Sequence, residues 1–175
     1  MTNPLLRRLD ALAAGLLLLW AGMVLGFAVL MAPLLFRILP SRDLAGLIAS
    51  KVVARLDLAS FVAFGLAMAL VLVPRWLQEI QDQDGLGPLR LWAAATLVAL
   101  LVCFASAFII SPKLHTLRAR MDGPVEALAP ESPLRASYQK AHSISRQFMG
   151  LRLLLAVGLA AGVAVLPRRK EQPGG

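Results

Sequence analysis

Ala11 to Phe36 is the stretch that most restricts this chain, because none of its twenty-six residues carries a charge. The hydrocarbon core of a bilayer is about 30 Å thick, and a helix rising 1.5 Å per residue needs about 20 apolar residues to cross it. The run is long enough to cross with some tilt. It is also far longer than a signal-peptide h-region, although Arg7 and Arg8 precede it as they would in one. A retained membrane helix is the expectation.

Three further charge-free runs follow: Leu58–Pro74, Leu91–Pro112 and Leu153–Pro167. With 58% hydrophobic residues in 175, the chain is too apolar for a soluble domain. The fold class that follows is all-α, an integral membrane four-helix up-down bundle forming a single domain. Its spans are expected at about 11–37, 55–74, 90–111 and 147–167. Pro40, Pro74, Pro112 and Pro167 sit at or just past the ends of the runs, where proline stops a helix. Pro33 should bend the first helix near its end.

The net charge of +8 would suggest nucleic acid in a soluble protein. Here the basic residues flank apolar runs without interleaved aromatics, so the lipid bilayer is the expected partner and nucleic acid is not. Fourteen Arg against four Lys hint at a GC-rich bacterial coding sequence. The single cysteine, Cys103, cannot form an intramolecular disulfide. With Met68 or Met149 it suits either a soft metal or plain core filling.

The second and fourth runs are short, covering only ~26 and ~22 Å at the helical rise. To span, the second helix must take in Asp57 and Arg55, and the fourth must take in Arg152 and begin near Gln147. Charged groups are thereby drawn to the membrane boundary or inside it. Small residues at Gly22-x-x-x-Gly26, Gly65-x-x-x-Ala69 and Gly158-x-x-x-Gly162 suit close helix packing. Packing within the bundle and a homo-oligomer face are both open.

Between the spans lie connections at 37–56, 75–90 and 112–146. The short one holds the turn-like Asp84-Gly85-Leu86-Gly87-Pro88. The long third connection opens with Leu114, Leu117 and Met121 on one face, an expected interfacial helix, and breaks at Gly123-Pro124 and Pro130. Ser132 is the expected cap of a last helix running from Pro133 to Leu166. Four crossings put both termini on one side. Arg7, Arg8, Arg168, Arg169 and Lys170 lie against helix ends, so that side is expected to be the cytoplasmic face of an inner membrane.

Polar residues gather on the opposite face: Arg37, Arg55, Asp57, His115, His142, Ser143, Ser145 and Arg146. His142, Ser145, Met149 and Arg152 fall on one helical stripe. Arg152 lies deepest, and Asp57 is its natural partner, because a lone buried charge is very costly. Arg55, Asp57, His115, His142, Ser145, Arg146 and Arg152 are therefore the candidate ligand-binding or ionic network, with His115 and His142 as candidate metal ligands. Each has a plainer alternative. Arg152 can snorkel to the headgroups, Asp57 and Arg55 can cap their helix, and the histidines can sit in solvent at the boundary. No phosphate loop, His-x-x-x-His, Cys-x-x-Cys or nucleophile–base set is present, so no catalytic residue is assigned.

Trp20-Ala21-Gly22-Met23, Leu35-Phe36-Arg37-Ile38-Leu39-Pro40 and Gly46-Leu47-Ile48-Ala49-Ser50-Lys51 resemble the first helix and first connection of the transmembrane-protein-205-like family. Tyr138 followed by His142-Ser143-x-Ser145 resembles the start of that family's last helix. The resemblance implies a small four-helix membrane protein of poorly defined activity. It also implies soft-metal handling or secretion, since the vertebrate member is associated with platinum-drug resistance. A likeness of architecture alone extends to four-helix families linked to copper uptake or haem-pathway oxidation. Three functional expectations result: a non-enzymatic handler of a small solute or soft metal, a haem- or quinone-linked redox protein, or a structural subunit. No resident cofactor is assigned, with metal or haem as the open options.

Overall fold

The computed structural model describes residues 4–77, 86–121 and 123–166, and every regular element among them is helical. Four helices are long and apolar enough to cross a membrane: α1 (Pro4–Ile38), α2 (Arg42–Leu77), α3 (Gly87–Ala119) and α4 (Pro133–Val165). In lipid the backbone finds no water to bond, so helices that satisfy their own N–H and C=O groups are what such runs must form. The order is up-down-up-down. Pro4, Leu77, Gly87 and Val165 lie at one end, called terminal, and Ile38, Arg42, Ala119 and Pro133 at the other, called distal. The chain is an integral, multi-pass membrane protein by this architecture.

The helices outrun the charge-free segments. The connection expected over 37–56 shrinks to 39–41, because Arg42 to Leu56 continues α2 as helix. Its Leu, Ala, Arg and Lys residues favour helix as strongly as the apolar run does. Pro74 does not stop α2 but sits inside it. The expected interfacial helix after Lys113 is instead the last two turns of α3. Ser132 occupies the cap position of α4 without a side-chain capping bond. The expected features at Asp84, Gly85, Pro167, Arg168, Arg169 and Lys170 lie outside the described residues.

Pro33 and Pro112 are absorbed in the same way. A proline lacks the N–H, and its ring crowds the carbonyl four residues earlier. A five-residue π turn precedes each: Phe27–Met31 in α1 and Ser106–Ile110 in α3. The wider turn closes with the Ala32 N–H donating to Phe27 O and the Ser111 N–H to Ser106 O, five residues back in both cases. Each helix therefore continues through its proline instead of ending at it.

The core is one cluster. Ala13, Leu17, Trp20, Ala21 and Val24 of α1 meet Ala63, Phe64, Ala67 and Val71 of α2, with Trp92, Ala99 and Cys103 of α3 and Ala156, Leu159 and Val163 of α4. The α1 residues recur at three- and four-residue intervals, a single apolar stripe. Gly22 and Gly158 fall off these stripes and are exposed. A Cβ added at Gly22, Gly26, Gly65 or Gly158 would meet nothing within 4 Å. These glycines do not draw helices together within the chain. Gly162 does, since its added Cβ would sit 3.3 Å from the Trp92 ring.

Candidate functional site

The depth of the bilayer is marked by cations near the helix ends. Arg55 and Arg75 are twenty residues apart on α2, about 30 Å of helix, which matches a hydrocarbon core. Lys113 of α3 and Arg146 of α4 are, like Arg55, exposed at the distal end. Asp57 lies ~3 Å of helical rise inside Arg55. Ser106 lies ~10 Å inside Lys113, and Arg152 ~9 Å inside Arg146. These three residues meet.

Arg152 Nη2 donates to Asp57 Oδ1 at 2.6 Å, and both side chains are almost wholly buried. Arg152 Nη1 donates to Ser60 Oγ at 3.1 Å. Ser60 in turn donates to the Asp57 carbonyl at 2.6 Å and lies 3.1 Å from Cys103 Sγ. The Ser106 hydroxyl accepts from Arg152 Nη2 at 3.4 Å and donates to Asp57 Oδ2 at 3.3 Å. Arg152 Nε reaches the Phe148 carbonyl at 3.4 Å. The Trp20 ring closes the α1 side, 5.8 Å from the guanidinium carbon. Trp20 is itself pinned by a 2.9 Å bond from its Nε1 to the Leu56 carbonyl. All four helices contribute to this node.

Local sequence explains how the side chains arrive. Asp57 and Ser60 are three apart on α2, and Cys103 and Ser106 three apart on α3, so each pair shares a face. Ser106 opens the π turn before Pro112, and it is the buried residue of that turn. The long Arg152 stem crosses from α4 to reach both pairs. Snorkelling to the headgroups is not what this side chain does.

The other expected site residues do not join the node. Arg55, His115, His142 and Arg146 are exposed, and Ser145 is half-buried. His142 lies parallel to Tyr138 with ring centres 6.2 Å apart. The stripe of His142, Ser145, Met149 and Arg152 therefore runs from solvent into the core, and only Arg152 reaches the charge pair. Among the described residues no three His, Cys, Asp or Glu side chains are grouped to hold a metal ion.

A second buried pair has no counterpart among the expected site residues. Arg75 Nη1 and Nη2 donate to Asp10 Oδ1 and Oδ2 at 2.9 and 3.0 Å, and Nη1 also donates to the Val71 carbonyl at 3.0 Å. The Arg75 Nε is buried without a hydrogen bond. This fork joins α1 to α2 at the terminal end. Both residues flank charge-free runs, where charge reads as an ordinary boundary. The signal was topological, since an up-down bundle puts the start of α1 beside the end of α2.

Ser60, Ser106, Cys103 and Trp20 were also missed as a group. Hydroxyls and a thiol in apolar runs carry little signal alone. Their three-residue spacing from Asp57 and from one another was the available clue.

No curated protein and no solved structure matches the chain. The sequence profile of a domain of unknown function, DUF4149, matches residues 15–122. The match spans α1 from Gly15, all of α2 and all of α3. Asp57 and Arg75 lie within it, while their partners Arg152 and Asp10 lie outside it. Since the match covers more than half of the 175 residues, the chain belongs to the DUF4149 family.

Proposed function

We propose that this protein is a non-enzymatic handler of a small ionic solute, with the Asp57–Arg152 node as its polar centre. One observation carries the reading: a charge pair, two hydroxyls and a thiol converge from three helices just inside the membrane boundary. Replacing a buried ion pair by apolar residues of similar volume is often neutral or stabilising, so stability alone does not call for the pair. Ionisable groups kept at such depth mark ion and substrate pathways by default. His115 and His142, both solvent-facing, would serve as proton carriers or ligands on the approach from the distal face. In this reading the protein sits in an inner membrane with both termini cytoplasmic. Soft-metal handling is the form of the reading that the transmembrane-protein-205-like motifs favour.

The test separates binding from folding. Purified protein is screened by thermal shift against chloride, phosphate, ammonium, zinc and copper(I), beside the paired variant Asp57→Leu with Arg152→Met. A solute that stabilises the wild type but not the equally folded variant supports the reading. If no ion in the panel separates the two proteins, the node is a structural clamp.

A second reading, a subunit of a larger membrane assembly, is favoured by the outward placement of Gly22 and Gly158 on lipid-facing helix surfaces. Stoichiometric co-purification of a partner, or of a second copy, would support it. The haem- or quinone-linked alternative gains nothing from the geometry, as both histidines lie outside the buried cluster.

A further inference from the structure

A separate cavity of about 250 Å³ lies between the distal ends of α3 and α4. It is lined by Ile110 and Lys113 of α3 and by Ser137, Lys140, Ala141 and Ile144 of α4. The α4 residues recur at three- and four-residue steps and so form one face, as Ile110 and Lys113 do on α3. The lining divides by chemistry. Ile110, Ala141 and Ile144 are buried or half-buried, while Lys113, Lys140 and Ser137 are exposed at the rim. Among the described residues no carboxylate contributes to the lining. Among the described residues neither lysine forms an ion pair, whereas Arg118, one turn beyond Lys113, is taken up by Asp43 at 2.6 Å.

The cavity also sits at a defined height. Lys113 directly follows the charge-free run that ends at Pro112. The groove is therefore at headgroup level, with Ile110, one turn deeper on α3 than Lys113, on its hydrocarbon side. Two ammonium groups and a hydroxyl above an apolar floor, at that height, match one ligand: a phosphodiester with acyl chains attached. Basic pockets between membrane helices hold anionic headgroups through this combination of charge and depth. We propose that this groove is a binding site for one anionic phospholipid, with Lys113, Lys140 and Ser137 on its phosphate and Ile110 and Ile144 against the start of its chains. The proposal is independent of any role of the Asp57–Arg152 node.

Native mass spectrometry of the full-length protein in a neutral detergent tests it. Phosphatidylglycerol and phosphatidylcholine of the same chain length are titrated separately, and inorganic phosphate is a third arm. The expected result is a single retained phosphatidylglycerol, weakened about tenfold or more in Lys113→Gln/Lys140→Gln. Phosphatidylcholine should bind no better to the wild type than to that variant. Both lysines are exposed, so the lipid-free melting temperature should not move. Ile144→Trp fills the floor without altering charge, and it too should lose the lipid. Equal retention of phosphatidylglycerol by wild type and both variants would overturn the site. Displacement of the lipid by millimolar inorganic phosphate would reassign it to a free anion.

Discussion

Two buried Asp–Arg pairs hold this bundle, and they are built differently. Asp10 and Arg75 meet as a two-point fork between α1 and α2, with the arginine Nε left without a hydrogen bond. Asp57 and Arg152 meet through one short contact, and Ser60, Ser106 and the Phe148 carbonyl take up three of the four remaining guanidinium hydrogens. The first is a bidentate fork, close to the best geometry an arginine and a carboxylate can adopt. The second is a network in which the ion pair is completed by two hydroxyls and a backbone carbonyl. A fork of the first kind suits a fixed joint. The network carries hydroxyls and a thiol beside its charges, and it is there that we propose the functional centre.

The largest test of this contrast is Arg152→Ala. It strands Asp57 in the core, and breaking a buried pair from one side costs about 3–5 kcal/mol. A large fall in the detergent melting temperature should result, and the paired replacement Asp57→Leu with Arg152→Met should recover most of it. Next is Asp10→Asn, which keeps the shape of the fork but removes its charge. About 3 kcal/mol should be lost in the same assay, the lower end of that range, because the Asn oxygen still accepts from Arg75. A loss as great as that of Arg152→Ala would erase the distinction between the two pairs.

Smaller effects sharpen the network claim. Ser60→Ala and Ser106→Ala should each cost about 1 kcal/mol. In double-mutant cycles with Arg152→Met each should show a coupling of about 0.5–3 kcal/mol, and additivity would mean the hydroxyls are bystanders. Arg118→Gln removes a partly exposed ion pair with Asp43, which shows no more than about 1 kcal/mol in unfolding experiments.

The membrane class and the four helices were legible in the sequence because bilayer thickness imposes a length that charge-free runs either meet or miss. The same argument placed Asp57 and Arg152 at membrane depth, where each needed the other. It did not reach the helix ends. Outside the hydrocarbon, Arg42 to Leu56 reads as a loop by charge, although its residues favour helix. The prolines misled in the same direction, since Pro74 and Pro112 look like stops and the π turn that carries α3 through Pro112 has no sequence signature of its own. Asp10 and Arg75 were hidden by position: each borders an apolar run, and only the pairing of helix ends in space shows that they face inward.

A π turn amounts to one residue too many in an otherwise regular spiral. At 3.6 residues per turn, that surplus rotates everything beyond it by roughly 100°. In α1 the rotated part includes Phe36 and Arg37, and in α3 it includes Lys113, His115 and Arg118. The compass bearing of each distal stub therefore depends on a count of single residues. Removing one residue between Ser106 and Ile110 would swing Lys113 away from Lys140 and Arg118 away from Asp43, while the helix below it kept its place.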